Sequence, residues 1–402
     1  MAGEMNRPLV RMSVRAVVEM TLHESDLTPA AGAARRMREG ALAHRARQAG
    51  EGERDATYRA EAALAAVYEG ERIALRVTGR ADGIALRADG VSVIEEIKLG
   101  MPGMALVPAH MAQAAMYGHM LCEKEALPQV QLRVLYVDMH GAYLEAYEQL
   151  RDAASLKAEF DGLCAVAAAW EEKKYLRHQA RDASLMSLGF PFGAYRPGQR
   201  RFAQNVYIAI RDRKRLFAQA PTGIGKTMAA LYPALVAIRE GRCARAVFLA
   251  ARVTGRRSAV DALTRLFGAG AQLLAAEIAA KDKVCPQPVR DCRAENCPYA
   301  AGFYDRLGAA LCEALCEGGV YDKEKTAALA MRHRLCPFEL SLELAKLCDV
   351  VVGDYNYVFD PFVAIDALLQ TAGGACLLVD EAHQLGGRVR DALSGAVTTA
   401  CH

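Results

Sequence analysis

No stretch of about 18 uncharged apolar residues, the length a helix needs to cross a hydrocarbon core, occurs in the chain. The N-terminus, Met1-Ala2-Gly3-Glu4, lacks the basic region and apolar segment of a secretory leader. These absences disfavour secretion and membrane contact, and the expected compartment is cytoplasmic. Charge of one sign is also scarce: 50 Lys and Arg against 47 Asp and Glu leave +3, too little to argue for a nucleic-acid partner by itself. Basic residues do cluster from Arg35 to Arg47, a pattern that reads as a solvated helix face. There is no internal repeat and no low-complexity tract. What is present is 402 residues, 52% of them apolar, enough for sizeable cores in two or three domains. Twelve cysteines in a cytoplasmic chain are not expected to pair as disulfides, which leaves buried packing, metal ligation or reactive thiols as their uses.

The expected fold class is α/β. Between Arg72 and Lys98 the alternation predicts three short strands, with an Asp89-Gly90 turn joining the last two. Helical patterns flank them at about 31–48 and 105–121, and two strands follow near 131–138 and 143–149. Residues 150–179 read as helix, so a first mixed domain over 1–150 and a helical linker over 151–188 are expected. From 189 to 402 apolar runs alternate with helices, and Leu216–Gln219, Ala246–Ala250, Val350–Val352 and Cys376–Val379 look like buried parallel strands. The segment from about 276 to 340 holds six cysteines and breaks that alternation, as an insertion would.

Ala220-Pro221-Thr222-Gly223-Ile224-Gly225-Lys226-Thr227 has the form of a phosphate-binding loop. Its glycines let backbone N–H groups curl around phosphates. Lys226 would reach the terminal phosphates of ATP, and the Thr227 hydroxyl would bind Mg²⁺. Ala220 stands where the general pattern has glycine. The apolar run ending at Val379 leads into Asp380-Glu381-Ala382-His383, 154 residues after Lys226. There Asp380 would hold Mg²⁺, Glu381 would orient the attacking water and His383 would couple the site to DNA.

In motif content and order, residues from about Tyr195 onward resemble the first motor domain of the XPD/DinG family of superfamily 2 DNA helicases. The resemblance implies a RecA-like parallel-sheet domain, with Arg196 and Gln199 of Tyr195-Arg196-Pro197-Gly198-Gln199 contacting adenine or linking domain edges. Arg252, in Ala251-Arg252-Val253-Thr254, falls where the family contacts the DNA backbone. It also implies a DNA partner (single-stranded, forked, or duplex with a single-stranded tail) and translocation from 5′ to 3′.

Cys285, Cys292, Cys297 and Cys336 lie near prolines in extended sequence, which suits an iron–sulfur cluster; the spacing leaves zinc open. The resemblance favours the [4Fe–4S] cluster, because the family carries one in this interval and Cys336-Pro337-Phe338-Glu339 with Asp354-Tyr355-Asn356-Tyr357 looks like its flanking sequence. Cys312, Cys316 and Cys348 compete as ligands, although Cys312 and Cys316 read more simply as one buried helix face.

In the first domain, a hairpin would bring together Asp82, Glu96 and Lys98. Two acids could hold Mg²⁺ or Mn²⁺ and lower the pKa of a water that Lys98 orients. With Gly40 and His44 on the preceding helix and Gln113 and Tyr117 on the next, residues 35–149 resemble the RecB-like branch of the PD-(D/E)xK nucleases, which have a restriction-endonuclease-like fold. That resemblance implies His44 as a further metal ligand and Gln113 and Tyr117 as support. Glu95 beside Glu96 leaves the register of the acid open. The cysteine cluster of some relatives is not matched, since only Cys122 and Cys164 lie nearby.

The expectation is therefore an ATP-dependent DNA helicase with a fused metal-dependent nuclease. Alternatives are a non-enzymatic DNA-binding module and a nuclease with a regulatory nucleotide domain. The chain ends 19 residues after His383, which is expected to make it a fragment without the second motor domain, poorly active as an ATPase by itself. Oligomeric state is not readable.

Overall fold

The computed structural model describes residues 7–23, 25–27, 33–360, 363–371 and 373–394, and of residues 33–38, 391 and 392 the backbone alone. The termini, and the side chains of Arg35, Arg36 and Arg38 in the basic stretch, lie outside the described residues. Within that stretch Arg45 is exposed and Arg47 pairs with Glu51 at 2.8 Å. The chain divides into two compact units, one of Met1–Glu24 with Pro29–Tyr175, the other of Ser25–Thr28 with Leu176–His402.

The first unit runs β1 (Leu9–Ser13), α1 (Val14–Glu19), α2 (Ala33–Arg54), β2 (Arg59–Glu69), β3 (Ala74–Leu86), β4 (Ser92–Leu99), α3 (Pro108–Glu125), β5 (Gln129–Val137), β6 (Tyr143–Asp152) and the start of α4 (Ala153–Ser187). Its six-stranded sheet has the order β1-β3-β4-β5-β6, with β2 also on β3. Pairs β1/β3 and β4/β5 are parallel; β2/β3, β3/β4 and β5/β6 are antiparallel. The period-two alternation of β4 sorts its residues between two cores. Ile94 packs with α1, α3 and α4, whereas Ile97 packs with Ala43 of α2, Leu135 and Val137. α3 is apolar nearly all round, and Met111 to Cys122 are all buried, as a helix enclosed by other elements requires.

The expected three-strand meander is corrected. Residues 74–86 form one strand, β2 precedes it, and only the turn at Gly90 (φ +83°) separates β3 from β4. Gly79 and Gly83 lie within β3 at sites of close approach, where a Cβ would lie 2.6 Å from Tyr117 Oη and 2.0 Å from Tyr58 Oη.

The second unit contains the end of α4, then α5 (Gln199–Arg211), α6 (Lys226–Arg239), β7 (Arg245–Leu249), α7 (Val253–Gly268), β8 (Leu274–Glu277), α8 (Lys281–Val284), α9 (Phe303–Glu317), β9 (Gly319–Tyr321), α10 (Lys323–Arg332), α11 (Pro337–Leu347), β10 (Val350–Gly353), α12 (Asn356–Phe359), β11 (Ala375–Val379) and α13 (Leu385–Leu393). Its five-stranded sheet, β11-β7-β10-β8-β9, is parallel throughout. Strands β7 and β10 are buried along their lengths, as expected where helices cover both faces. Asp349, at the foot of β10, accepts two bonds from Arg177 (2.8 and 2.9 Å), one from Arg181 (2.7 Å) and one from the Leu274 N–H (2.8 Å), so it ties the end of α4 to two strands.

Three expectations fail here. Leu216–Gln219 is not a strand: Phe217 is 90% exposed, and β11 stands at the edge of the sheet with Leu377 37% exposed. A run of four residues is held in a sheet only by its ladder, and that ladder is not made. The cysteine-rich segment is not wholly outside the sheet, because β9 within it pairs with β8 through three residues. Cys312 and Cys316 do lie on a helix, α9, but its buried face is Phe303, Leu307, Ala310, Leu311, Ala314 and Leu315, and Cys316 is exposed.

Candidate functional site

Lys226 opens α6, and Gly225 before it adopts φ +83°, as does Gly223, a backbone that favours glycine. The loop is braced from residues 196–199. Arg196 Nη1 donates to the Gly223 carbonyl, Gln199 Oε1 accepts from the Arg196 N–H (3.0 Å), and Gln199 Nε2 donates to the Gly225 carbonyl (3.3 Å). A Cβ on Gly225 would stand 2.4 Å from Gln199 Nε2, so a side chain there would displace the amide that braces the loop. Lys226 Nζ donates to the Ala220 carbonyl (3.2 Å) and lies 3.9 Å from Glu381 Oε1. Ala220, Ile224 and Thr227 are half-buried, while Pro221, Thr222 and Gly223 are exposed.

The acids follow β11. The Asp380 N–H donates to the Leu249 carbonyl (2.9 Å), and the buried Tyr355 donates its hydroxyl to the Asp380 carbonyl. Burial and the neighbouring Glu381 raise the Asp380 carboxyl, opposed by Lys226. Glu381 holds φ +53°, an uncommon conformation for a residue with a side chain. Ala382 starts a short 3₁₀ turn, and His383 Nδ1 lies 3.4 Å from Glu381. Beside these acids is an open cleft of about 370 Å³ lined by Arg252, Thr254, Gly255, Ser258, Asp380 and His383, among others. Phosphate-loop lysine, paired acids and this cleft therefore sit together at one end of the parallel strands, the usual place for ligands in an α/β sheet.

In the first unit, Asp82 Oδ2 accepts from the Ile97 N–H (2.7 Å) and its Oδ1 lies 3.6 Å from His44 Nδ1. Gln48 Nε2 donates to the Asp82 carbonyl (2.8 Å). Glu96 is buried and bound to Lys98 Nζ at 2.6 Å. Burial pushes its carboxyl up to about 7, opposed by Lys98 and assisted by Asp82. The open register is resolved by the pleat: Glu95 is 1% exposed and pairs with Arg133 at 2.9 Å, whereas Glu96 is the acid that interacts with Asp82, His44 and Lys98. Tyr117 is raised by burial first, then by Glu96 and Asp82, which places it beside both acids; Gln113 is buried on the same helix. Among the described residues no three His, Cys, Asp or Glu form a ready metal-holding group. Glu96 is taken by Lys98 and one Asp82 oxygen by the backbone, so His44, Asp82 and Glu96 face one another without converging.

Sequence reading missed His110. Its Nδ1 is 2.9 Å from Tyr136 Oη, which accepts from the Val107 N–H (3.0 Å), and Tyr136 is the register partner of Lys98. Burial pushes His110 down to about 4, with Lys98 adding to the effect. The available signal was spacing: His110, Gln113 and Tyr117 stand at i, i+3 and i+7 on α3.

The four proposed cluster cysteines lie in one stretch of the second unit, with Cys297 buried and Cys285, Cys292 and Cys336 half-buried. Cys292 and Cys336 both act on Lys281, so these two lie near one ammonium. They do not form a metal-holding group of three among the described residues. No helix among the described residues is long and apolar enough to cross a membrane.

Residues 196–284 match the family described as DEAD/DEAH box helicase, and residues 272–400 match the family DEAD_2. The second unit thus contains the two segments that match helicase family models. It is also similar to XPD helicase subunits. The helicase subunit XPD of the general transcription and DNA repair factor IIH from Arabidopsis thaliana is 24% identical over 241 residues, 52% of this chain and 32% of that protein. The Fanconi anemia group J protein homolog of Gallus gallus is 32% identical over 78 residues, 19% of this chain and 6% of that protein. This chain spans at most about a third of the length of these relatives. Among solved structures, "XPD_Helicase" is 17% identical with a TM-score of 0.34, covering 50% of this chain and 34% of that one. "Truncated XPD" is 19% identical with a TM-score of 0.33, covering 48% and 54%.

Proposed function

We propose that the second unit is the ATP-binding motor domain of a DNA helicase acting in DNA repair or processing, and that the first is a metal-dependent nuclease. The observation that carries the motor reading is the placement of Lys226 Nζ between the Ala220 carbonyl and Glu381, with the loop braced by Arg196 and Gln199. ATP phosphates would take the loop N–H groups and Lys226 Nζ. Thr227 and Asp380 are of the type to hold the accompanying Mg²⁺, and Glu381 is placed to orient the attacking water. Arg252, Thr254 and His383 line a polar cleft suited to a DNA phosphate. Coupled unwinding is proposed to need a second RecA-like domain facing this one.

Support for the nuclease reading is that His44, Asp82, Glu96 and Lys98 face one another beside Tyr117. The donors fit a divalent cation in kind: a buried carboxylate with a raised pKa gains from a positive charge. We propose that the four cysteines hold a [4Fe–4S] cluster, a reading supported by the family resemblance and by their shared stretch of chain.

Titration of a fluorescent ATP analogue with Mg²⁺ tests the motor. Lys226→Ala should weaken binding at least tenfold, and equal affinities would sink the reading. End-labelled DNA incubated with Mg²⁺ or Mn²⁺ tests the nuclease. Cleavage by the unmodified chain that disappears in Lys98→Ala is expected, and no cleavage by either would reduce the first unit to a DNA grip.

A further inference from the structure

Gly255 lies in the first turn of α7, and its φ is not in the left-handed range. Glycine inside a helix costs roughly 0.5–1 kcal/mol relative to alanine, so conformation gives no reason for it here. Space does. A Cβ on Gly255 would meet Ala250 Cβ at 2.9 Å and Asp380 Oδ2 at 3.2 Å. The missing side chain therefore lets the backbone of α7 close onto the carboxylate that follows β11. The same turn carries Arg252, Thr254 and Ser258 into the polar cleft, and Gly255 forms part of the wall.

The turn is also fixed to the ends of the central strands. Arg256 donates to the Ala250 carbonyl (3.2 Å) and to Asp354 (3.0 Å), and the Arg388 guanidinium donates to the Ala251 carbonyl (3.2 Å). Closely packed contacts transmit displacement because they have no slack to absorb it. A ligand that draws Arg252 and Thr254 toward it shifts the wall against which Asp380 rests.

We propose that Gly255 is a positioning residue, the joint through which a phosphate-bearing ligand in the α7 cleft and Mg²⁺–nucleotide at Asp380 sense each other. This rests on the nucleotide reading above. The coupling acts through the close approach of the Gly255 backbone to Asp380, and the approach to Ala250 only limits how close the turn can come.

The test measures the affinity of the full chain for a fluorescent ATP analogue with Mg²⁺, with and without a short single-stranded oligonucleotide. For the unmodified chain the oligonucleotide should change that affinity about fivefold or more, with the reciprocal effect on oligonucleotide binding. In Gly255→Ala the factor should fall to near one while both ligands still bind. General unfolding would instead lower both affinities together. Adding Ala250→Gly removes the 2.9 Å contact and keeps the 3.2 Å one. The double variant should therefore stay uncoupled. Recovery of coupling in the double variant, or coupling in Gly255→Ala equal to that of the unmodified chain, overturns the proposal. So does an unmodified chain that binds both ligands independently. A chain that binds no Mg²⁺–nucleotide overturns the nucleotide reading, and this inference with it.

Discussion

Glu96 shows how a single residue in this chain trades stability against chemistry. Its carboxyl is held near 7 rather than in the usual acid range, because it is buried and Lys98, with a smaller effect of His44, offsets only part of that cost. The folded state therefore keeps the proton when the unfolded chain would have lost it. The stabilisation is complete below the ordinary carboxyl pKa of about 4.5 and is lost as pH rises toward 7. A shift of that size corresponds to roughly 3 kcal/mol at most. Glu96→Gln cannot ionise, so in EDTA its melting temperature should hold between pH 5 and pH 8 while the unmodified chain declines. Parallel declines would show that other groups set the pH dependence. At this scale the sequence picked out residues that the fold brings together and was silent about which face they take. Asp82, Glu96, Lys98, Gln113 and Tyr117 were all legible, but the choice between Glu95 and Glu96 depended on the pleat of β4. His110 went unnoticed because its partner, Tyr136, comes from a strand 26 residues away.

At the scale of elements, strands marked by a run of Val, Leu or Phe were readable even when short, as β7, β10 and β11 are, and unmarked ones were not. The phosphate loop announced α6 through its glycines, and β7, β10 and β11 through runs of apolar residues. β8 and β9 have four and three residues, too few to show a period, and exist because the ladder on β10 extends to them. Leu216–Gln219 failed in the opposite sense: its apolar content was read as a strand, but no neighbour pairs with it. α4 crosses from one core to the other. Its first half packs Leu156, Phe160 and Cys164 into the first unit, and its second half is held by Asp349. The paired arginines depress the Asp349 carboxyl well below the usual range despite complete burial. Asp349→Asn leaves Arg177 and Arg181 buried opposite a neutral group, which costs about 3–5 kcal/mol. Urea unfolding followed by signals from the second unit should show a lowered midpoint, and an unchanged one would refute the clamp.

Across the whole molecule, each of the two units carries its own charged groups for its proposed chemistry. The lysine of one set, Lys98, is bound to Glu96; that of the other, Lys226, lies against Ala220 and Glu381. No residue of either set is shared. The two activities should therefore be separable by single substitutions, assayed on the same preparations. Lys98→Ala should remove metal-dependent DNA cleavage and leave Mg²⁺–nucleotide affinity within about twofold, because substitutions that share no partners act independently. Lys226→Ala should do the reverse when cleavage is measured without nucleotide. If cleavage by the unmodified chain depends on ATP and Lys226→Ala abolishes that dependence, the second unit regulates the first. If Lys98→Ala also weakens nucleotide binding tenfold, the division into two independent sites is wrong.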